Sequence, residues 1–137
     1  MEAEKAIVIL VIVVLSSVSL TKIVYDYFTL VNVVEFDMYL TVSDYVGVNV
    51  DTSAIFFGTT FPGGSSNRLV MLNNSYSFPV KVELGDSGDL SKWVYFSDNG
   101  FTIEPNANGT VKGSVVIPED AKYGNYTGKL RIVFRKI

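Results

Sequence analysis

The stretch AIVILVIVVLSSVSLT, residues 6–21, holds sixteen residues without a charge, and the chain after it has the pattern of a small β-domain. As a helix this stretch spans roughly 24 Å, and continuing it through Tyr25 approaches the roughly 30 Å of a bilayer's hydrocarbon core. Lys22 can extend its ammonium group from that span to the headgroups. We therefore predict a short tail over residues 1–5 and a single transmembrane helix over residues 6–25, which can continue to Val34 as a stalk.

Three interpretations of this hydrophobic segment remain open. We favour a permanent single-pass anchor. A cleaved secretory signal fits less well, because Glu2 and Glu4 make the first residues acidic where a signal has a basic region. The third interpretation is a pilin-type segment, since Lys5, Ala6 and Ile7 resemble the charged, small and apolar junction that archaeal prepilin peptidases cut. These three residues are the candidate processing junction.

Composition excludes several classes of function. The chain has 137 residues, a net charge of −3 and a pI near 4.8, whereas a nucleic-acid-binding protein would present a basic face. It has no Cys and no His, which removes thiolate and imidazole nucleophiles, zinc sites built from those ligands, and disulfides. We therefore expect no enzyme activity, no cofactor, no nucleic-acid partner and no small-molecule substrate.

The orientation across the membrane is inferred from N-glycosylation motifs. Lys5 and Lys22 flank the apolar run on opposite sides, so the positive-inside rule does not choose between orientations. Three N-x-S/T motifs follow the helix, with acceptors at Asn73, Asn108 and Asn125. We therefore predict a single-pass protein of the cell membrane whose carboxyl-terminal domain is extracytoplasmic.

From Glu35 onward the hydrophobic pattern has a period of two, which is typical of strands with one buried face. Phe36, Met38, Leu40 and Val42 form the first apolar face. Further candidate strands are residues 46–50, 54–58, 68–73, 78–84, 93–97, 101–103, 110–117 and 126–135. Short strands separated by Gly- and Pro-rich turns, without helices between them, predict an all-β fold. The fold class is an antiparallel immunoglobulin-like β-sandwich of about seven to nine strands over residues 35–137, preceded by one N-terminal transmembrane helix.

Two aromatic residues favour a sandwich. Tyr126 enters the last strand from a Pro- and Gly-rich corner, which resembles the tyrosine corner of immunoglobulin-like and fibronectin-type domains. Trp93 is the candidate for a buried aromatic residue on a central strand.

A wider pattern of turn and core positions runs from about Ala54 to the carboxyl terminus. Its residues are Phe57-Gly58, Pro62-Gly63-Gly64-Ser65, Arg68, Leu72-Asn73, Phe101, Pro105, Val115, Ile117-Pro118 and Gly124-Asn125-Tyr126-Thr127-Gly128. The pattern resembles the immunoglobulin-like modules of archaeal membrane-anchored surface proteins, which are similar to fibronectin-type and major-sperm-protein β-sandwich modules. This resemblance implies a fold, and we carry over no binding residues from it.

The carboxylates form no recognisable catalytic or metal site. Asp86 and Asp89, with Asp98, offer oxygen atoms, but they lack the roughly five ligands at fixed spacing that an EF-hand loop provides. Six further acids are scattered along the β-domain: Asp37, Asp51, Glu83, Glu104, Glu119 and Asp120. The PGGSS segment at residues 62–66 lacks the lysine and the following helix of a phosphate-binding loop. We interpret the acids as solvated residues.

Two groups of surface residues could contact a partner. The last strand carries cations at Lys129, Arg131, Arg135 and Lys136. On an edge strand such cations prevent unwanted strand pairing, and this is the role that we expect for them. The alternative is contact with acidic surface polymers or with a neighbouring subunit. The exposed tyrosines Tyr39, Tyr45 and Tyr123 would mark a protein–protein surface if they cluster.

Our main hypothesis is a non-enzymatic, membrane-anchored extracytoplasmic module with a structural, adhesive or protein-interaction role at the cell envelope. Its partners would be another envelope protein or copies of itself. One alternative is a pilin-like filament subunit with a hydrophobic N-terminal helix core, which Lys5–Ala6 favours and the charged Lys22 and Asp26 oppose. A second alternative is an accessory subunit of a membrane protein complex.

Overall fold

The structure is a computed structural model that describes residues 1–47 and 53–137. The predicted strand positions 48 and 50, and the candidate carboxylate Asp51, lie outside the described residues. The chain divides into two compact units, residues 1–30 and 31–137. The described elements are α1 (Glu2–Thr29), β1 (Leu30–Val42), β2 (Ile55–Thr60), β3 (Ser65–Asn73), β4 (Val80–Ser87), a 3-10 helix (Asp89–Trp93), β5 (Val94–Phe96), β6 (Phe101–Ile103), β7 (Asn108–Val116) and β8 (Gly124–Lys136).

The amino-terminal unit consists of α1, which buries none of its residues. Its apolar side chains from Ile7 to Val24 are 46–65% exposed. By length and composition, α1 is able to cross a membrane, a property that a signal sequence near the amino terminus shares.

Hydroxyl groups within α1 are satisfied by the helix itself. The side chains of Ser17, Ser19 and Thr21 each donate to the carbonyl oxygen four residues earlier, at 2.8–2.9 Å. Polar groups that find their partners inside one helix do not need water, so these hydroxyls are compatible with an apolar surrounding.

The helix ends at Thr29 and β1 begins at Leu30, so the predicted continuation of the helix to Val34 is wrong. Val31 and Val34 pack against the core of the second unit. Valine is β-branched and stiff at χ1, which lowers its helix propensity and suits a strand. The helix also begins at Glu2, so most of the predicted tail is helical.

The second unit is an immunoglobulin-like β-sandwich of two sheets. A five-stranded sheet has the order β2-β1-β8-β4-β6, and a three-stranded sheet has the order β3-β7-β5. The β3–β7, β4–β6, β4–β8 and β5–β7 pairs are antiparallel, as predicted. The β1–β2 pair is parallel and is a local exception within the predicted antiparallel sandwich. The long connection over residues 43–54 permits this arrangement, whereas a tight hairpin turn would enforce an antiparallel pair.

The core confirms the alternation predicted for β1, β4 and β8. Their inward side chains are almost fully buried: Met38, Leu40, Val42, Val80, Val82, Leu130, Ile132 and Phe134. Each buried side chain of this size contributes roughly 1.5–3 kcal/mol by removal of apolar surface from water. Every member of the buried core comes from the second unit.

Gly58 lies inside β2, although glycine at this position suggests a strand end. The strand continues to Thr60, and the register of the β1–β2 pair shifts between Tyr39 and Leu40. Gly58 has a φ of +85°, which a residue without Cβ adopts easily, so this glycine accommodates the bulge.

The tyrosine corner is confirmed. The Tyr126 hydroxyl donates to the Lys122 carbonyl oxygen at 2.8 Å, and its ring lies 4.5 Å from the ring of Trp93. Trp93 itself ends the 3-10 helix before the edge strand β5, so its predicted position on a central strand is wrong.

Candidate interaction surface

The two outer faces of the sandwich differ in charge. The outward residues of β1, β8 and β4 form a charged face on the five-stranded sheet: Glu35, Asp37, Lys81, Glu83, Lys129, Arg131 and Arg135. Lys129 Nζ lies 3.7 Å from Asp37 Oδ1, and Lys81 Nζ lies 3.6 Å from Glu83 Oε1. Most charges on this face are therefore already paired within the chain.

Glu83 is the centre of this ion-pair network. The Arg135 Nε donates to Glu83 Oε2 at 3.0 Å. This hydrogen bond is the main reason why the pKa of the Glu83 carboxyl lies below its usual value, and the nearby charges of Arg135 and Lys81 act in the same direction.

The basic residues of β8 do not protect a sheet edge, which corrects the sequence prediction. β8 lies in the middle of the five-stranded sheet, between β1 and β4. Lys129 and Arg135 bind carboxylates across neighbouring strands, and Lys136 Nζ lies 4.7 Å above the ring of Phe78. Alternation along a strand places cations outward whether the strand is central or at an edge, so sequence could not separate these roles.

The long sheet edges are closed by side chains. Ser66 Oγ donates to the Phe57 carbonyl and Arg68 Nε to the Phe56 carbonyl, both at 2.5 Å, which ties β3 to β2 across the corner between the sheets. The edge strands β5 and β6 are three residues long. These edges offer little length for pairing with a strand from another protein.

The outward side of β3, β7 and β5 is different, and we call it the three-stranded face. Its outward residues are Ser65, Asn67, Leu69, Met71, Asn73, Tyr95, Asn108, Thr110, Lys112, Ser114 and Val116. Leu69 and Met71 are 69% and 75% exposed, and Tyr95 and Val116 are also exposed. Lys112 is the single charged residue in this set, directly opposite Leu69 in the register.

The three-stranded face combines exposed apolar side chains with a single charge, and this composition is typical of a protein contact surface. Interface cores are depleted in charged residues and enriched in aromatic residues and methionine. The three-stranded face therefore has the character of an interaction surface, whereas the charged face does not.

The tyrosines singled out in the sequence do not supply this surface. Tyr39 is 39% exposed and stacks on Phe56 at 5.1 Å, on the charged face. Tyr45 and Tyr123 are exposed, and no ring contact in the described part of the chain joins any two of the three.

The three glycosylation acceptors lie on the sandwich surface. Asn73 and Asn108 lie opposite each other on β3 and β7, at one end of the three-stranded face. Asn73 Nδ2 donates to Asn108 Oδ1 at 2.7 Å. Asn125 lies near the start of β8, where its Oδ1 accepts from Thr41 Oγ1 at 2.8 Å. Glycosylation of these residues remains a prediction.

Asn74 is a structural residue that sequence reasoning missed. It is 1% exposed, and its Nδ2 lies 3.0–3.1 Å from the carbonyl oxygens of Phe78, Ile103 and Glu104. Its Oδ1 accepts from the Tyr76 backbone N–H at 3.0 Å. In the sequence, Asn74 is only the middle residue of the glycosylation motif Asn73-Asn74-Ser75, and nothing in that motif indicates burial.

The candidate processing junction lies in α1. Lys5 Nζ is 3.7 Å from Glu2 Oε1, one turn earlier, and Ile7 is exposed. Processing between these residues remains a prediction.

The acids considered as metal ligands take part in local turns. The Asp86 carboxylate accepts from the Ser91 hydroxyl, and Asp98 Oδ1 accepts from the Asn99 backbone N–H at 2.8 Å. Across residues 1–47 and 53–137, no three His, Cys, Asp or Glu side chains group as a metal site would need.

One cleft opens between the two sheets, with a volume of about 230 Å³. Phe36 and Phe134 form apolar parts of its wall, and Asn32, Asn73 and Asn74 contribute amides. Among the described residues, no carboxylate or cation lines it. The cleft therefore lacks a side chain that could act as a general acid or base at neutral pH.

Several solved structures have a similar fold. The DraE adhesin, solved in complex with chloramphenicol succinate, aligns with a TM-score of 0.44 at 14% identity, covering 77% of this chain and 96% of the adhesin. The AfaE-3 adhesin from Escherichia coli aligns with a TM-score of 0.41 at 16% identity, covering 77% of this chain and 97% of the adhesin. No protein-family model and no curated protein sequence matches the chain. At this level of identity and overlap the likeness concerns the sandwich fold, and nothing about binding or assembly is transferred from it.

Proposed function

We propose that this chain is a non-enzymatic module of the cell envelope, anchored by α1 as a single transmembrane span, with the sandwich outside the cytoplasm. One observation carries the proposal: α1 has an exposed apolar surface along its length, while the core of the sandwich is complete without any α1 residue. Such a helix needs an apolar environment, which a lipid bilayer would supply. An origin among archaeal surface proteins, and kinship with fibronectin-type and major-sperm-protein modules, are part of the same proposal.

The module's work is to bind another envelope protein through the three-stranded face. Leu69 and Met71 offer apolar area, and Lys112 has no ion-pair partner among the described residues. The partner surface therefore carries an apolar patch with one carboxylate opposite Lys112. A second copy of the chain fits less well, because two copies meeting face to face would bring their Lys112 side chains together.

The size of this face sets the strength of the contact. The nine-residue strands β3 and β7 are each roughly 30 Å long and together roughly 10 Å wide, and the three-residue β5 adds roughly 10 Å by 5 Å, so each partner would bury on the order of 350 Å². A stable soluble complex buries about 800 Å² per partner. The contact is weak in solution and becomes effective when both proteins are held in one membrane, which raises their effective concentration.

Zero-length carbodiimide coupling on native membranes tests this contact. The reagent joins an amine to a carboxylate that is in direct contact, so it should link Lys112 to an acidic residue of a second protein. The intramolecular pair Lys129–Asp37, at 3.7 Å, is the internal positive control. Lys112→Arg keeps the charge but should abolish the cross-link, and the matched variant Lys129→Arg on the charged face should leave it unchanged. A cross-link that survives Lys112→Arg, or an adduct that joins two copies of this chain, contradicts the proposed partner.

Alkaline carbonate extraction and external protease test the anchor and its orientation. The full chain should stay with the membrane, and protease added to intact cells should digest the sandwich. Leu15→Arg at the centre of the helix should release the protein, since a central arginine disfavours insertion by roughly 2.5–3.5 kcal/mol. Leu15→Ala is the control that should stay in the membrane. A wild-type protein recovered in the soluble fraction would refute the anchor.

A pilin-like filament subunit is the second candidate, and the uninterrupted helix from Glu2 to Thr29 favours it. Filament cores are built from long apolar helices packed side by side. The amino-terminal residue of the native protein separates the two candidates, because an anchored module starts at Met1 and a processed pilin starts at Ile7. The weaker alternative of an accessory subunit predicts co-purification in fixed stoichiometry with one membrane complex.

A further inference from the structure

Two of the three glycosylation motifs meet at one end of the three-stranded face. Asn73 and Asn108 are 35 residues apart in the sequence, but they are register partners of β3 and β7. Both side chains are exposed, and so are the hydroxyl residues of the two motifs, Ser75 and Thr110. The fold therefore makes one paired acceptor site from two separate motifs.

We infer that this pair accepts a single N-linked glycan and that Asn108 carries it. The inference rests on the extracytoplasmic location of the sandwich in the proposed function. Opposite residues of neighbouring antiparallel strands have Cβ atoms about 4.5–5.5 Å apart, which leaves room for one linked sugar ring and not for two.

The hydrogen bond between the two amides selects Asn108. The glycan is attached through the side-chain nitrogen, and Asn73 uses its Nδ2 to donate to Asn108 Oδ1 at 2.7 Å. Asn108 contributes only its oxygen to this bond, and its Nδ2 has no partner among the described residues. A glycan on Asn108 Nδ2 leaves Oδ1 free to accept, so the pair stays bonded after modification.

The flanking chain also restrains Asn73. The next residue, Asn74, is 1% exposed, and its amide is held by backbone groups on both sides of the loop. These bonds fix the backbone at Asn74, so the chain next to Asn73 has little freedom to adapt to a transferase. Asn108 is followed by Gly109, which has no side chain to anchor.

The modification is a glycosyl transfer from a lipid-linked oligosaccharide activated by phosphate, catalysed by a separate membrane transferase. Asn108 Nδ2 attacks the anomeric carbon, the new nitrogen–carbon bond forms, and the bond from that carbon to the phosphate oxygen breaks. The lipid phosphate leaves with the electron pair, and a base of the transferase takes the Nδ2 proton.

Intact mass and glycopeptide mapping of the full chain from native membranes test the inference. The variants Ser75→Ala, Thr110→Ala and Thr127→Ala each remove one motif while keeping its asparagine and the Asn73–Asn108 hydrogen bond. Thr110→Ala should remove the mass of one glycan and leave both Asn73 and Asn108 unmodified. Ser75→Ala should leave the glycan mass unchanged. Thr127→Ala shows whether Asn125 carries a glycan of its own. A glycan on Asn73 in any variant, or two glycans on the pair, overturns the inference.

Protease added to intact cells in the same experiment separates this inference from the proposed function. A sandwich that is digested from outside but carries no sugar on Asn108 overturns the glycan assignment and leaves the location standing. A sandwich that is protected from external protease and unmodified overturns both.

Discussion

Replacing Asn74 by alanine should strongly destabilise the sandwich. The two N–H groups of the Asn74 Nδ2 are shared among three carbonyl oxygens and its Oδ1 accepts from one backbone N–H, all at 3.0–3.1 Å, and the residue is 1% exposed. A hydrogen bond contributes about 0.5–1.5 kcal/mol net, and a buried group left without a partner costs about 1–3 kcal/mol. Since some of these carbonyls are only partly buried and can reach water, we expect a loss of about 3 kcal/mol.

The assay is urea unfolding of the full-length chain in mild detergent, followed by the fluorescence of Trp93, the single tryptophan. Asn73→Ala is the matched control, because Asn73 is exposed and makes one side-chain hydrogen bond, to Asn108, and its loss should cost about 0.5 kcal/mol. Expression in a host without N-glycosylation keeps sugar out of the comparison.

Asn74→Asp sharpens the test. It keeps an oxygen for the Tyr76 N–H but turns a second oxygen toward the three carbonyls, so it should be at least as harmful as Asn74→Ala. The reasoning would be refuted if Asn74→Ala unfolded at the same urea concentration as Asn73→Ala, or if Asn74→Asp were as stable as the wild type.

Three further predictions use the same unfolding assay. Tyr126→Phe removes the hydroxyl that donates to Lys122 but keeps the ring against Trp93, so it should lose about 1 kcal/mol; no loss would mean that the corner bond is not stabilising. Gly128→Ala would place a Cβ 2.7 Å from the Ser87 carbonyl oxygen and should lose about 1–3 kcal/mol, whereas Gly85→Ala meets nothing within 4 Å and should be neutral. Because Arg135 lowers the pKa of Glu83, the stabilisation from this carboxylate is complete above the ordinary glutamate pKa of about 4.3 and is lost as the pH falls through the lowered value. The wild type should therefore exceed Glu83→Gln by less than about 1 kcal/mol at neutral pH, and the difference should shrink on acidification; a difference that grows would contradict this sign.

The sequence predicted the local pattern of the strands better than their arrangement. The alternation in Met38, Leu40 and Val42 and in Leu130, Ile132 and Phe134 is a local signal that follows from strand geometry, and it is confirmed. The central position of β8 and the parallel β1–β2 pair depend on which distant strands pair, and side-chain periodicity contains no information about that.

The candidate surface was missed for the same reason. Leu69 and Met71 look like ordinary members of a strand in the sequence, and only the register with β7 shows that they share an outer face with Val116 and a single lysine, Lys112. Asn74 was missed because its burial comes from the return of residues 103–104, which no local motif predicts.

The charges on the charged face are mostly paired within the chain, whereas the three-stranded face has a single charge. This difference explains why a partner would bind the three-stranded face. On the charged face, a partner would have to displace or desolvate the existing pairs around Glu83 and Asp37, and burying such charges is unfavourable unless each is paired again. On the three-stranded face, Leu69 and Met71 can be buried without breaking any ion pair, and only Lys112 needs a new counter-charge. A glycan on Asn108 would occupy the end of this face where Asn73 and Asn108 meet, so binding would be directed toward the opposite end, around Val116.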